Sequence, residues 1–317
     1  MFQSMILPLD GSSFAEEAVP MAGLLAKAFG AQLHLVHVIR PSPDVDFKTP
    51  EEDLDWRTQV REAASGALGE MAGELRREGV NARAEVREGK VVDTLLACAE
   101  ERKADLAVLT THGAGGFRRW WLGSVADALL RRSEVPVLLV RPWDETRDRT
   151  PDEPRFRSIL VPLDGTRSGE EALTYARSLR DRLGAKLVLV QVVPSPLDVG
   201  SLYGIPAVKV EGETRRKQKE AALAYLQEMA DRLSDGEGGE GEVEVRVMES
   251  SGAAEGILEA VRVTGADLLV LSTHGRGGIS RAVVGSVADK VIRGAVPPVL
   301  AIRAHEDEED GGQVGAG

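Results

Sequence analysis

Cysteine occurs once, at Cys98, in a chain of 317 residues. A single thiol rules out an intrachain disulfide and every multi-cysteine zinc or iron–sulfur site. It leaves burial as the expected role of Cys98. Aromatic residues are scarce, at 4%, and basic charge is outnumbered: 39 Lys and Arg face 51 Asp and Glu, a formal net charge of -12. Such a field repels polyanions and acidic bilayers, so neither nucleic acid nor a membrane surface is expected as a partner. No apolar run approaches the roughly 20 residues needed to cross a bilayer. The stretch from Met1 to Asp10 has no basic region and meets a carboxylate too early for a secretory signal. A cytoplasmic location is expected.

What is present is an ordinary globular balance, 43% hydrophobic and 28% charged, long enough for two domains of about 150 residues each. The chain repeats itself. Met-Ile-Leu-Pro-Leu-Asp-Gly at 5–11 matches Ile-Leu-Val-Pro-Leu-Asp-Gly at 159–165, and Ala-Asp-Leu-Ala-Val-Leu-Thr-Thr-His-Gly at 104–113 matches Ala-Asp-Leu-Leu-Val-Leu-Ser-Thr-His-Gly at 266–275. Both copies continue through Gly-Gly to Gly-Ser-Val-Ala-Asp. The expected domains are residues 1–142 and 158–304. A solvated linker, 143–157, joins them, and an acidic, glycine-rich tail, 305–317, is too polar to order itself.

Within each copy, short apolar runs alternate with helical patterns. Strands are expected at 5–9, 33–39, 82–87, 105–110 and 136–140, and again at 158–163, 187–193, 243–248, 267–272 and 298–302. Ser13-x-x-Glu16 and Ser168-x-x-Glu171 read as capping boxes after the first strand of each copy. Pro20 should kink the first helix or sit where a lost hydrogen bond is tolerated. The charges of 211–220 read as the solvated face of a helix. This alternation predicts α/β architecture: two tandem five-stranded, mostly parallel sheets covered on both faces.

The fourth strand of each copy runs into a glycine-rich loop that ends where a helix begins. Gly113 and Gly123 have nine residues between them, as do Gly275 and Gly285. Glycine lets backbone amides approach an anion, and Ser124 or Ser286 can cap a helix whose dipole faces the same point. That pattern is a phosphate cradle made mostly of backbone. Neither a Walker lysine motif nor a dinucleotide Gly-x-Gly-x-x-Gly turn after the first strand is present. Asp10 and Asp164 close the first strands, where ligands gather in doubly wound sheets. There a carboxylate either caps the next helix or accepts hydrogen bonds from ribose or adenine.

Thr110-x-x-Gly113-x9-Gly123-Ser124 and Ser272-x-x-Gly275-x9-Gly285-Ser286 resemble the Gly-x-x-Gly-x9-Gly-Ser/Thr motif of ATP-binding universal stress proteins, with its first glycine replaced. The likeness extends over nearly all of both copies and is to the tandem, two-domain form of that family. It implies an adenine-nucleotide α-hydrolase-like fold, bound ATP or AMP with or without Mg2+, and a role in stress response or signalling rather than fast catalysis. It also implies that the fifth strands pair, so the two copies form an internal pseudo-dimer, which a second chain can extend to a homodimer. The binding positions so implied are Pro8, Asp10, Val38, Leu109, Thr110, Gly113, Gly116, Gly123, Ser124 and Val125 in the first copy. In the second they are Pro162, Asp164, Val192, Leu271, Ser272, Gly275, Arg276, Gly278, Gly285, Ser286 and Val287. Side chains at Thr110 and Ser272 put affinity, not fold, in question.

Other readings stand beside this one. The loop can be a tight strand-to-helix connection without a ligand, leaving an interaction module that works through its surfaces and an unknown protein partner. A weak ATPase is the enzyme alternative, although Ser-Gly-Gly-x-Asp-Ser and His-x-Gly-His are absent. His112 and His274 read as orienting residues, since no second catalytic group stands at a readable spacing. Arg118, Arg119, Arg276 and Arg281 either neutralise phosphates or form a charged face. Trp120 and Trp121 read as packing or subunit contact, because Ala282 and Val283 replace them in the second copy.

Overall fold

The computed structural model describes residues 1–40, 49–111, 122–142, 155–195, 212–234, 242–273 and 284–303. The first half holds β1 (Ser4–Pro8), α1 (Ser13–Glu16), α2 (Val19–Phe29), β2 (Gln32–Ile39), α3 (Pro50–Arg77), β3 (Asn81–Glu88), α4 (Val91–Glu101), β4 (Leu106–Thr110), α5 (Ser124–Arg132) and β5 (Val137–Val140). The second half repeats the order with β6 (Ser158–Pro162), α6 (Arg167–Leu183), β7 (Lys186–Pro194), α7 (Gly212–Ser234), β8 (Val243–Ser250), α8 (Ala253–Thr264), β9 (Leu268–Ser272), α9 (Ser286–Gly294) and β10 (Val299–Ile302).

The strands form one ten-stranded sheet in the order β3-β2-β1-β4-β5-β10-β9-β6-β7-β8. All neighbours are parallel except β5 and β10, which pair antiparallel with Leu138 opposite Leu300. The architecture is therefore α/β with a mostly parallel sheet, as expected. Central strands are apolar throughout because both faces are covered. Met5 and Leu7 enter the core beneath α2, α3, α6 and α7, and Ile6 enters the core beneath α4, α5, α8 and α9. On edge strand β3, Ala82 is buried while Asn81, Arg83 and Ala84 are exposed, the pattern of a half-covered edge.

Two local expectations are corrected and a third is met. The caps after the first strands are Ser12 and Thr166, not Ser13 and Ser168. Ser12 Oγ accepts from the Ala15 amide at 3.2 Å and Thr166 Oγ1 from the Gly169 amide at 3.1 Å. The third helical position is thus Ala15 or Gly169, so no capping box forms. Phe156, inside the stretch expected to be solvated linker, is 4% exposed and belongs to the core, as does Phe2 at the corresponding place in the first half. Pro20 does divide its helix: α1 stops at Glu16, and α2 restarts with Pro20 in its first turn, where the missing amide costs no intrahelical bond. Thr174, as far after Asp164 as Pro20 is after Asp10, leaves α6 continuous.

The halves meet on both faces of the sheet. On one, Phe2 packs edge-to-face on Phe29 at 5.0 Å and lies 6.1 Å from Tyr175, while the Arg182 guanidinium sits 6.0 Å over the Phe29 ring. On the other, α5 and α9 carry matching charges. Arg131 Nε binds Asp127 Oδ2 at 2.9 Å, Arg293 Nε binds Asp289 Oδ2 at 2.9 Å, and Arg293 Nη2 lies 3.7 Å from Asp127 Oδ1 across the joint. Arg141, just after β5, donates to the Ile292 and Arg293 carbonyls at the end of α9, and Arg303, just after β10, donates to the Ser133 carbonyl at the end of α5.

One charged cluster is peculiar to the first half. Glu85 on β3 accepts from His34 at 2.8 Å, Arg87 at 2.9 Å and Arg102 at 2.8 Å. Burial pushes the Glu85 carboxyl up, but these donors outweigh it and leave its pKa below the ordinary carboxylate value. Cys98 lies beside the cluster, buried as expected, its thiol pushed up by burial and by the Glu85 charge. A carboxyl depressed by folding adds stability above its unfolded-state value, near 4.5, and loses that contribution as pH falls through the lower folded value. Glu85→Gln is expected to lower the melting temperature at neutral pH, with a penalty that shrinks as pH is taken from about 5 to about 3. Thermal unfolding across that range reads the effect.

Candidate functional site

In each half the sheet order reverses at its first strand. β2 lies on one side of β1 and β4 on the other; β7 and β9 flank β6 in the same way. Beside β2, β1 holds its register to Pro8 opposite Val36, but beside β4 the paired register stops at Ile6 opposite Ala107. The second half repeats this, with β6 and β9 in register only at Ile159–Leu268 and Leu160–Leu269. The strands part before their carboxyl ends. The gap so formed is a candidate crevice, at the place where ligands of doubly wound sheets bind.

The loop after β1 is tied down on both sides. The Leu9 amide donates to the Val36 carbonyl at 2.9 Å, and His37 Nδ1 donates to the Leu9 carbonyl at 2.9 Å, which fixes the proton on that nitrogen. In the second half the Leu163 amide donates to the Val190 carbonyl at 2.8 Å. Gln191, in the place of His37, carries a buried Oε1 without a hydrogen-bond partner among the described residues. Asp10 and Asp164 do not cap the helices themselves. Asp10 Oδ1 accepts from the Ser12 amide at 3.0 Å and its hydroxyl at 2.5 Å; Asp164 Oδ1 accepts from Thr166 in the same two ways at 3.0 and 2.6 Å. Each carboxylate orients the hydroxyl that does the capping, and so is held at the crevice mouth.

The far wall is the end of the fourth strand and the start of the next helix. The Thr111 amide donates to the Val140 carbonyl at 2.8 Å, and the Thr111 carbonyl accepts from the Gly123 amide at 2.7 Å. Thr273 makes the equivalent pair with Ile302 and Gly285, at 2.8 Å each. The glycine-rich loop is thus closed at its neck, and α5 and α9 begin beside the ends of β4 and β9. Their N-caps are Gly123 and Gly285, and Ser124 and Ser286 are the first helical residues, a correction to the expected serine caps. Glycine fits because a Cβ at Gly285 would stand 3.2 Å from the Thr273 carbonyl oxygen. A glycine cap has no side chain to satisfy the first amides of the helix, and a helix start of that kind, with the positive end of its dipole, suits an external anion.

The other expected positions fall around this opening. Leu109 and Leu271 are buried at 5% and 3%, and Thr110 is buried at 7% whereas Ser272 is half-buried. Pro8, Pro162, Val38, Val125 and Val192 are half-buried, and Val287 is exposed. Val38, Val125 and Val192 pack against the core beneath α4, α5, α8 and α9. A Cβ at Gly256 on α8 would come within 2.6 Å of Val192 Cγ1. Gly256→Ala must displace Val192, an overpacking expected to cost about 1–3 kcal/mol in chemical unfolding. Gly113, Gly116, Gly275, Arg276, Gly278, His112 and His274 lie outside the described residues, as do Arg118, Arg119, Arg281, Trp120 and Trp121.

Sequence reasoning missed Ser12, Thr166, His37, Gln191, Thr111 and Thr273. Thr111 and Thr273 repeat at one position of both copies, which is the available signal. Among the described residues no group of three or more His, Cys, Asp or Glu side chains stands together as a metal site, and no helix is long and apolar enough to cross a membrane.

The model of the Universal stress protein family matches residues 1–141 and 155–303. A universal stress protein of Mycolicibacterium smegmatis is 28% identical over 309 residues, spanning 94% of this chain and 96% of that relative. A shorter one from Thermus aquaticus is 33% identical over 143 residues, 44% of this chain and 100% of the relative. Among solved structures, a universal stress protein from Archaeoglobus fulgidus covers 95% of this chain and 98% of its own with a TM-score of 0.67 at 21% identity, a likeness of fold. With the family matched over both halves, the chain belongs to the universal stress protein family.

Proposed function

We propose that each half binds an adenine nucleotide, ATP or AMP, in the crevice between its first and fourth strands. The observation that carries this reading is the glycine-capped helix standing at the end of a strand pair that has parted. The first amides of α5 and α9 take the phosphates. Asp10 and Asp164, across the opening, accept from ribose hydroxyls, and Val38 and Val192 pack against adenine. Thr110 and Ser272 offer hydroxyls beside the ribose or phosphates. Mg2+, when it accompanies ATP, is held mainly by the phosphates.

On this reading the chain is a cytoplasmic binding protein of stress response or signalling, in which occupancy changes how it meets a protein partner. The domains are residues 1–142 and 158–304, with Phe156 at the end of the joining segment packed into the core. The antiparallel pairing of β5 with β10 supports treating them as an internal pseudo-dimer. Calorimetric titration with ATP, AMP and GTP, with and without Mg2+, tests the proposal. Saturable binding of an adenine nucleotide in preference to GTP is expected. No saturable binding of either adenine nucleotide overturns it and leaves an interaction module.

A further inference from the structure

We infer that the two crevices are energetically coupled through α5 and α9, so that a nucleotide in one half weakens binding in the other. The inference rests on the nucleotide reading. The helices that begin at the two crevices are linked across the joint by the Arg293–Asp127 ion pair and by Arg141 and Arg303 at their ends. Asp127 and Asp289 lie in their first turns, at the ends that face the phosphates, and Arg131 and Arg293 lie in their last turns. Each helix has only nine residues, about 13 Å of rigid rod. A displacement at the crevice end therefore reaches the joint.

The arginine at the joint is shared. Arg293 binds Asp289 at 2.9 Å and 3.0 Å within its own helix, and its Nη2 lies 3.7 Å from Asp127 Oδ1 on the other. A phosphate at the start of α5 repels the Asp127 carboxylate in the same turn and drives it toward its arginines. Arg293 is then drawn toward Asp127 and away from Asp289. Asp289, left with less of its counter-charge in the first turn of α9, opposes a second phosphate there. The grips of Arg141 on the end of α9 and of Arg303 on the end of α5 make the helix ends move with the paired strands rather than independently. By linkage the penalty is the same whichever half fills first.

Three calorimetric titrations with ATP test this on the full chain. Ser124→Trp and Ser286→Trp each block one half by bulk at an exposed helix start without adding charge near the joint, and each single-blocked chain reports the affinity of the remaining site. With coupling, the wild-type isotherm departs from the sum of the two single-site curves, and the second ATP binds about fivefold or more weaker than that sum requires. The departure disappears when the set is repeated with Asp127→Asn and Asp289→Asn. If that chain does not melt cooperatively, Arg293→Gln takes its place. A wild-type isotherm equal to the sum overturns the inference alone. So does a departure that survives loss of the charges. No binding to the unblocked chain overturns the nucleotide reading itself.

Discussion

Ser124→Asp and Ser286→Asp are each expected to lower the ATP affinity of their own half by about ten- to a hundredfold while leaving the nucleotide-free chain at least as stable as the parent. Both serines are first helical residues behind a glycine cap. In the nucleotide-free chain a carboxylate there meets the positive helix end, worth about 0.3–1 kcal/mol of added stability. When phosphates occupy the same point the sign reverses. Two like charges about 5 Å apart at an effective dielectric near 20 repel by roughly 3 kcal/mol, and solvent screening reduces this to the range given. Calorimetry and thermal unfolding read the two effects separately. Unchanged affinity in both variants would show that phosphates do not sit at these helix starts.

Phe2→Ala is expected to destabilise the chain by about 3–5 kcal/mol, the range for emptying a buried aromatic site. Phe2 is 1% exposed and touches Phe29 in its own half and Tyr175 in the other. The lost ring removes packing from both halves and leaves a cavity where they meet, which few marginally stable proteins absorb without a large fall in melting temperature. Urea unfolding should show a lower midpoint. A loss below about 1 kcal/mol would mean that the site collapses around the missing ring and that the halves are held mainly by β5 and β10.

The fold was legible because its signal is strong. Runs such as Met5 to Leu7 and Leu106 to Leu109 are buried on both faces of a parallel sheet, so they stay apolar without interruption, and the repeat doubled every observation. Helix starts were less legible. Ser12 and Ser13 are adjacent, and the choice between them is made by Gly11 at φ 82 and by Asp10, whose carboxylate holds the Ser12 hydroxyl. The same device at Asp164 selects Thr166 over Ser168. Nothing in a spacing rule contains that three-way arrangement. Phe156 sits among charged residues, and only alignment with Phe2 reveals it as core.

At the site, the positions near the crevice were those implied by the resemblance to the universal stress protein motif, whereas the ties that shape it had no such signal. The neck made by the Thr111 carbonyl and the Gly123 amide is a backbone contact that any residue type can make. The Asp127–Arg131 and Asp289–Arg293 spacings are readable as helical ion pairs. The pairing of Arg293 with Asp127 depends on β5 lying antiparallel to β10, which brings together residues far apart in sequence.

The most direct test of the account is to purify the chain without added nucleotide, denature it, and identify and count the small molecule released by mass spectrometry, with a reload step of ATP and Mg2+ for any chain that comes out empty. The account predicts ATP or AMP, either carried through purification or taken up on reloading, at one or two per chain. A chain that releases none and takes up none would contradict it.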